Sequence, residues 1–334
     1  MFSHLEPDSS QLVDKVFFSG ICEEFITKLI SDYKINNKDD VIYPEILFSY
    51  PQNDEGVTSS ILEYIFTEGI SIEFNQRPPK FIPFTLTNEK GSRSYVYSIR
   101  LHEKIEINHK IYYLPFALSI WSHINNCQVF KKILTEFYRI MKISGNLISD
   151  SEILNYHNLE IIHTIIFLTD IILPPNKSKI VLNFHFSSVE FETPSLNEIP
   201  NNEEYIRLLF DCLETTTIIK LWCSLLSEKH IIFLSNQGYL LFAITQGLLS
   251  LMFPFCWLHT YIPVLPNSQI DYLDSPTPYL IGVLSTKIDY LTLNDRYPGH
   301  VICDLNTSTI NKNAVSFLSS VEEDKIKKKN KINE

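Results

Sequence analysis

Glycine is scarce in this chain, nine in 334 residues, too few to supply a Gly-rich phosphate cradle readily. Neither a GxxxxGK[ST] loop nor a GxGxxG turn after a strand is present. HExxH and GxSxG are missing too, so zinc-protease and nucleophile-elbow chemistries have no local signature. The six cysteines, Cys22, Cys127, Cys212, Cys223, Cys256 and Cys303, form no CxxC pair. Most stand in apolar stretches, where a thiol packs as a small hydrophobe; this points to a reducing compartment and to no zinc site. No cofactor and no metal are expected. Basic residues are outnumbered, 28 against 39, for a formal charge of −11. A protein that neutralises nucleic-acid phosphates should carry a basic stripe, so nucleic acid is excluded as a partner. The one basic run, Lys325-Ile-Lys-Lys-Lys-Asn-Lys331, directly follows Glu322, Glu323 and Asp324 and reads as a solvated tail, with contact to an anionic membrane as the alternative. The start, Met1-Phe-Ser-His-Leu-Glu-Pro-Asp8, has no basic region ahead of an apolar core and is not a secretory signal. Catalytic groups meet in space rather than in sequence, so an α/β hydrolase with a Ser or Cys beside a base remains an alternative.

What is present is a globular composition: 45% hydrophobic, 20% charged, with 22 Phe and 17 Tyr able to bury large apolar areas. From Ile231 to Ile270 there is no Asp, Glu, Lys or Arg, a run long enough to hold a membrane helix. Asn236, Gln237, Gln246 and His259 interrupt it, and Pro254, Pro263 and Pro266 cut its second half into short pieces, which suits the buried elements of an α/β core. Strands are expected at Val13–Phe18, Glu45–Tyr50, Phe81–Thr87 and Ser92–Ile99, the last two joined as a hairpin by Asn88-Glu-Lys-Gly91, where Gly supplies a positive φ. Thr58 or Ser59 opens a short helix that buries Ile61, Leu62, Ile65 and Phe66. A helix is expected from Ala117 to about Lys142, and a second from Leu159 to Leu173. Further on, helices carrying Leu209 and Leu225, a wholly apolar strand at Ile231–Ser235, a helix to about Met252, and strands at Thr260–Val264, Tyr279–Val283 and Val301–Leu305 alternate. That alternation implies a mostly parallel sheet covered on both faces.

Two segments carry a family resemblance. Phe84-Thr-Leu-Thr-Asn-Glu-Lys-Gly-Ser-Arg-Ser-Tyr95 resembles the upstream DENN element, an FxLT strand, a Gly turn and a Tyr-bearing return strand. Its scaffold positions here are Phe84, Leu86, Gly91 and Tyr95. The second runs from Leu209 through Leu225-Leu-Ser-Glu-Lys-His-Ile-Ile-Phe-Leu-Ser235 and Phe253-Pro-Phe-Cys-Trp-Leu-His-Thr-Tyr-Ile-Pro-Val-Leu-Pro266 to Asp274-Ser-Pro-Thr-Pro-Tyr-Leu-Ile-Gly-Val283. It is similar to the central DENN element, with Glu228, Pro254, Trp257, Pro263, Pro266, Pro276, Pro278 and Gly282 as scaffold. The resemblance implies an α/β fold (α+β overall) of two lobes. These are a longin-like lobe over residues 10–108 and a three-layer α/β lobe over 109–305, with 306–334 an unfolded polar remnant of a downstream element.

It also implies a function: guanine-nucleotide exchange on a Rab-family small GTPase, whose switch region is gripped across the two lobes, in the cytoplasm or peripherally on endomembranes. The alternative is a GTPase-binding scaffold, or a subunit of a heteromeric DENN complex, without exchange activity. Contact candidates are Asn88, Glu89, Lys90 and Arg93 at the hairpin tip, where loops are free to carry recognition, together with Trp257, His259 and Asp274. Against each stands a structural reading: a solvated tip, an apolar anchor beside a satisfied core histidine, and a rigid proline turn. Glu228 ends a helix where the dipole disfavours it, so it calls for a polar partner of its own.

Overall fold

The protein is described from a computed structural model covering residues 11–21, 43–52, 59–67, 69–87, 92–107, 109–144, 159–173, 177–193, 202–286 and 288–313. It forms two compact units: residues 1–201 with 265–270, and residues 202–264 with 271–334.

The first unit is built on β1 (Lys15–Gly20), β2 (Glu45–Tyr50), α1 (Ser59–Ile65), β3 (Lys80–Thr87), β4 (Arg93–Ile107), β5 (Lys110–Ser122), α2 (Cys127–Ser144), α3 (Leu159–Thr169), β6 (Lys179–Asn183) and β7 (Ser188–Glu192). Five strands make an antiparallel sheet in the order β2-β1-β5-β4-β3. Successive residues of a strand face opposite ways, so Val96 and Tyr97 serve different layers. Val96 joins Phe17, Phe84 and Ala117 under the α1 residues Ile61, Leu62 and Ile65 and the following Phe66. Tyr97 stacks on Phe130 of α2 with ring centroids 4.5 Å apart. Its hydroxyl donates to the Ile124 carbonyl at 2.9 Å and accepts from the Asn126 amide at 3.1 Å, fixing the turn into α2. β6 and β7 form a separate two-stranded hairpin.

The helix expected from Ala117 does not begin there. Residues up to Ser122 belong to β5, and the helix starts only at Cys127. Tyr112, Leu114, Phe116, Leu118 and Ile120 alternate with period two and are all buried, so the strand continues through Pro115. Proline is tolerated because it lies one residue beyond Phe116, the last β5 residue paired with β1. The lobe boundary expected at 108/109 falls between the two paired strands β4 and β5. β5 pairs with both β4 and β1, so residues 110–122 cannot leave the first sheet, and the compact units divide at 201/202.

The second unit contains α4 (Glu203–Cys212), α5 (Thr215–Leu226), β8 (Ile231–Ser235), α6 (Gly238–Ser250), β9 (Thr260–Ile262), a 3-10 segment from Asn267 to Asp274 that begins in the first unit, β10 (Tyr279–Leu284), α7 (Tyr290–Arg296), β11 (Val301–Asp304) and β12 (Thr309–Ile310). The sheet order is β12-β11-β8-β10-β9; all neighbours are parallel except β11 and β12. Every residue of β8, β10 and β11 is buried, which is why these strands read as unbroken apolar runs. On one face Ile231, Phe233, Leu280, Leu284, Val301 and Cys303 meet Leu209, Leu221, Leu225, Leu241, Ile244 and Leu248 from α4, α5 and α6. The charge-free stretch therefore resolves into β8, α6, β9 and turns, and no helix among the described residues is long and apolar enough to cross a membrane. Residues 306–313, expected to be unfolded tail, form a turn and β12; the rest of that expected tail, 314–334, lies outside the described residues.

Two glycines let backbones approach closely. A Cβ on Gly247 would stand 2.6 Å from the Tyr205 carbonyl oxygen, where α4 crosses α6. One on Gly282 would stand 2.0 Å from the carbonyl oxygen of Pro263. Both obstacles are backbone, which cannot rotate aside. Gly282→Ala is expected to lower stability by about 3 kcal/mol or more in urea unfolding. Gly238→Ala, where a Cβ meets only side-chain atoms at 3.7 Å or more, should be neutral or stabilising by about 0.5 kcal/mol at the start of α6.

Candidate functional site

The hairpin of the first unit holds four contact candidates, and three of them, Asn88, Glu89 and Lys90, lie outside the described residues together with Gly91. The flanking strands are described. Phe84 is buried and stacks on Tyr64 at 5.3 Å; Leu86 packs on the edge of the same cluster. Arg93 opens β4 opposite Thr87 and is half-buried. Tyr95, two residues on, stacks at 6.5 Å with Tyr97; burial raises its phenol pKa, opposed by the Arg93 charge. Arg93 is thus partly drawn into the strand, not displayed at a free tip.

In the second unit the structure brings Glu228, Trp257 and His259 together. α5 ends at Leu226, and Glu228 follows in the left-handed region at φ 51°. The Glu228 amide donates to Leu225 O at 2.9 Å and the Lys229 amide to Ser224 O at 3.1 Å, the paired bonds of a Schellman turn. Glycine is the usual residue there, and a side chain costs backbone strain. The carboxylate placed there lies 3.1 Å from His259 Nε2. The His259 ring in turn sits edge-on to Trp257 at 5.0 Å. Trp257 is only 5% exposed, and its indole N–H donates to the Thr260 carbonyl at 3.2 Å. Trp257 is therefore a core anchor, and the Glu228–His259 pair ties the end of α5 to the segment entering β9.

The same short segment displays what the sequence reading passed over. Phe253, Phe255 and Leu258 are 40%, 61% and 77% exposed, and Cys256 between them is exposed as well. Trp222, on the outer side of α5, donates its indole N–H to the Leu251 carbonyl at 3.1 Å, so the apolar helix face with Ile219 and Leu226 adjoins this turn. Exposed aromatics set beside a rigid core anchor are the usual ingredients of a binding surface. The signal was legible only in part: Pro254 marks a turn, but in an unbroken apolar run the hydrophobic pattern does not say which residues turn outward.

Asp274 has a different role. Its carboxylate accepts from Arg296 of α7 at 2.9 Å, and the Tyr279 hydroxyl donates to the adjacent Leu273 carbonyl at 3.0 Å. Ser275 and Thr277 share a hydroxyl hydrogen bond of 2.9 Å across Pro276, and Pro278 follows. The Pro266 carbonyl accepts from the Gln269 amide at 3.0 Å, and within the first unit the Gln269 side chain bonds Glu63 and Tyr64 at 2.9 Å each. These prolines and their neighbours shape turns. Among the described residues no group of three or more His, Cys, Asp or Glu is placed to hold a metal ion.

Residues 113–308, more than half of the chain, match the DENN (AEX-3) domain. The chain belongs to the DENN family. Residues 44–101 match the uDENN domain; that match ends inside β4 and the DENN match begins inside β5, although both strands share one sheet. The chain is 29% identical over 241 residues to the DENN domain and WD repeat-containing protein SCD1 of Arabidopsis thaliana, covering 70% of this chain and 19% of that protein. It is 27% identical over 262 residues to human DENN domain-containing protein 2B, covering 74% and 22%. Against mouse DENN domain-containing protein 1B it is 26% identical over 296 residues, covering 86% and 35%. The matched regions thus span about a fifth to a third of these relatives.

Truncating the anchor and truncating its exposed neighbours should separate cleanly. Trp257→Ala is expected to cost about 3–5 kcal/mol in urea unfolding. Phe255→Ser and Leu258→Ser should each stay within about 0.5 kcal/mol of wild type, because their side chains already face water.

Proposed function

We propose that this DENN chain is a guanine-nucleotide exchange factor for a Rab-family small GTPase, acting in the cytoplasm or peripherally on endomembranes. The observation that carries the reading is the apolar turn of Phe253, Phe255 and Leu258 on the Trp257 anchor, inside the segment that matches the DENN domain. Exchange needs no nucleophile. A small GTPase holds its nucleotide through a phosphate loop, Mg²⁺ and an ordered switch segment. A partner that binds the nucleotide-free form more tightly than the loaded form loosens the nucleotide by the same factor. Each tenfold of loosening requires about 1.4 kcal/mol of differential binding. Aromatic anchors on a rigid turn are suited to this task, because little side-chain freedom is lost when they engage a switch segment. The Glu228–His259 pair supports the surface from behind, and Arg93, residues 88–90 and Asp274 are the further contact candidates of this reading.

Release of a fluorescent GDP analogue from a panel of purified Rab proteins tests it. Catalytic acceleration for one or a few is expected. The Phe255→Ser/Leu258→Ser double variant should slow that acceleration about tenfold or more, a loss of at least about 1.4 kcal/mol, with its unfolding midpoint unchanged. Binding of a Rab without accelerated release would move the assignment to a GTPase-binding scaffold or a subunit of a heteromeric DENN complex. The absence of both binding and release across the panel would refute it.

A further inference from the structure

At the N-terminal edge of the parallel strands the second unit carries a stack of titratable rings that the exchange reading does not use. His230 immediately precedes β8, Tyr279 opens β10, and His300 immediately precedes β11. Leu280 and Val301 both align with Ile231, so these three preceding residues stand on one rung of the sheet. The rings of His230 and His300 lie 4.7 Å apart, and His230 meets Tyr279 edge-on at 4.8 Å. Tyr297, just after α7, sits edge-on to His300 at 5.1 Å, and Tyr279 stacks on His300 at 5.8 Å. His230 Nε2 and His300 Nδ1 are buried with no hydrogen-bond partner among the described residues. Backbone bonds fix the rings' positions. The Val301 amide donates to the His230 carbonyl at 2.9 Å, and the Asn311 and Asn313 side chains donate to the His300 carbonyl at 2.8 Å each.

The charges around the stack offer little to a proton. From the 3-10 segment come Asp271 and Asp274, from α7 comes Arg296, and Arg296 holds Asp274 at 2.9 Å. Tyr279 and Tyr297 stay protonated: burial raises both phenols, Tyr297 to about 12 with further help from Asp274. A second proton in the pair would set two cations within contact distance in a partly desolvated site. Neutral rings pack there without that repulsion.

We propose that the His230–His300 pair is an acid-sensitive latch, holding β11 and the preceding α7 against β8 at neutral pH and releasing them on mild acidification. Burial first and the neighbouring His230 second depress the His300 pKa, against the opposing pull of the Tyr297 carbonyl and of Asp274. A base with a depressed folded pKa binds fewer protons folded than open. Its stabilising contribution is therefore complete above about 6.5, the ordinary imidazole value. It is lost as pH falls from there towards the folded value.

Hydrogen exchange of the full chain, compared at pH 7.5 and 5.5 after correction for intrinsic rates, reads the latch directly. Peptides covering 290–305 should exchange measurably faster at the lower pH, while α6 residues 241–248 keep their protection. His300→Phe keeps a ring but carries no proton, and should flatten the difference. If that variant does not fold, the wild-type His300 imidazole resonances decide, with a titration midpoint below about 6.5 expected. Equal protection of 290–305 at both pH values, loss of protection spread evenly through α6, or an ordinary His300 midpoint would each overturn the latch.

Discussion

A single forbidden atom governs the second unit. The Pro263 carbonyl points at position 282 so closely that no Cβ fits between them, and because Gly282 has none, the segment leaving β9 lies directly over β10. That approach lets Leu241 and Val264 reach the same core as Leu280 and Leu284, and it completes the helix-covered face of a sheet whose central strands have no solvent side. With β8, β10 and β11 wholly buried, polar chemistry is confined to their ends. The imidazole stack lies at one end, the Glu228–His259 pair leads into the same edge, and the apolar turn projects beyond it.

Those facts explain which parts of the molecule could be read from its sequence. The paired runs Ile231–Ser235 and Tyr279–Val283 were legible because burial on both faces leaves nothing but apolar residues, and proline or glycine punctuates each end. The family assignment was legible for the same reason, since an ordered series of such blocks is specific where any one block is not. β5 was misread as helix because Phe130, Ile133, Leu134 and Phe137 carry a true helical period just downstream, and that period was extended backwards over a strand whose alternation is masked by small and polar residues facing the other layer. That the compact units divide at 201/202 was not legible, since the pairing of β5 with both β1 and β4 is a non-local fact that no window of sequence contains.

The site was less legible. Trp257 and His259 drew attention as the chemically distinctive residues of their block, yet distinctiveness there serves packing: one fills the core and the other fastens a helix end. The residues turned outward in that block are Phe255 and Leu258, ordinary apolar side chains set apart only by facing water. An inward and an outward phenylalanine are the same letter, and only the turn at 251–258 tells them apart.

β12 has a consequence for how the domain can be cut or joined. β11 lies one strand from the sheet edge, and its outer backbone groups are met by Thr309 and Ile310 and then by Asn311, whose side chain accepts from the Ile302 amide at 3.1 Å while its own amide donates to the Ile302 carbonyl at 3.0 Å. A chain shortened to residue 305 would keep every apolar strand of the core but strip this selvedge. The bare margin of β11 would then be open to pairing with the margin of another molecule, so solubility of this domain is bound up with a short segment, seven polar residues and Ile310, that contributes little to its hydrophobic core.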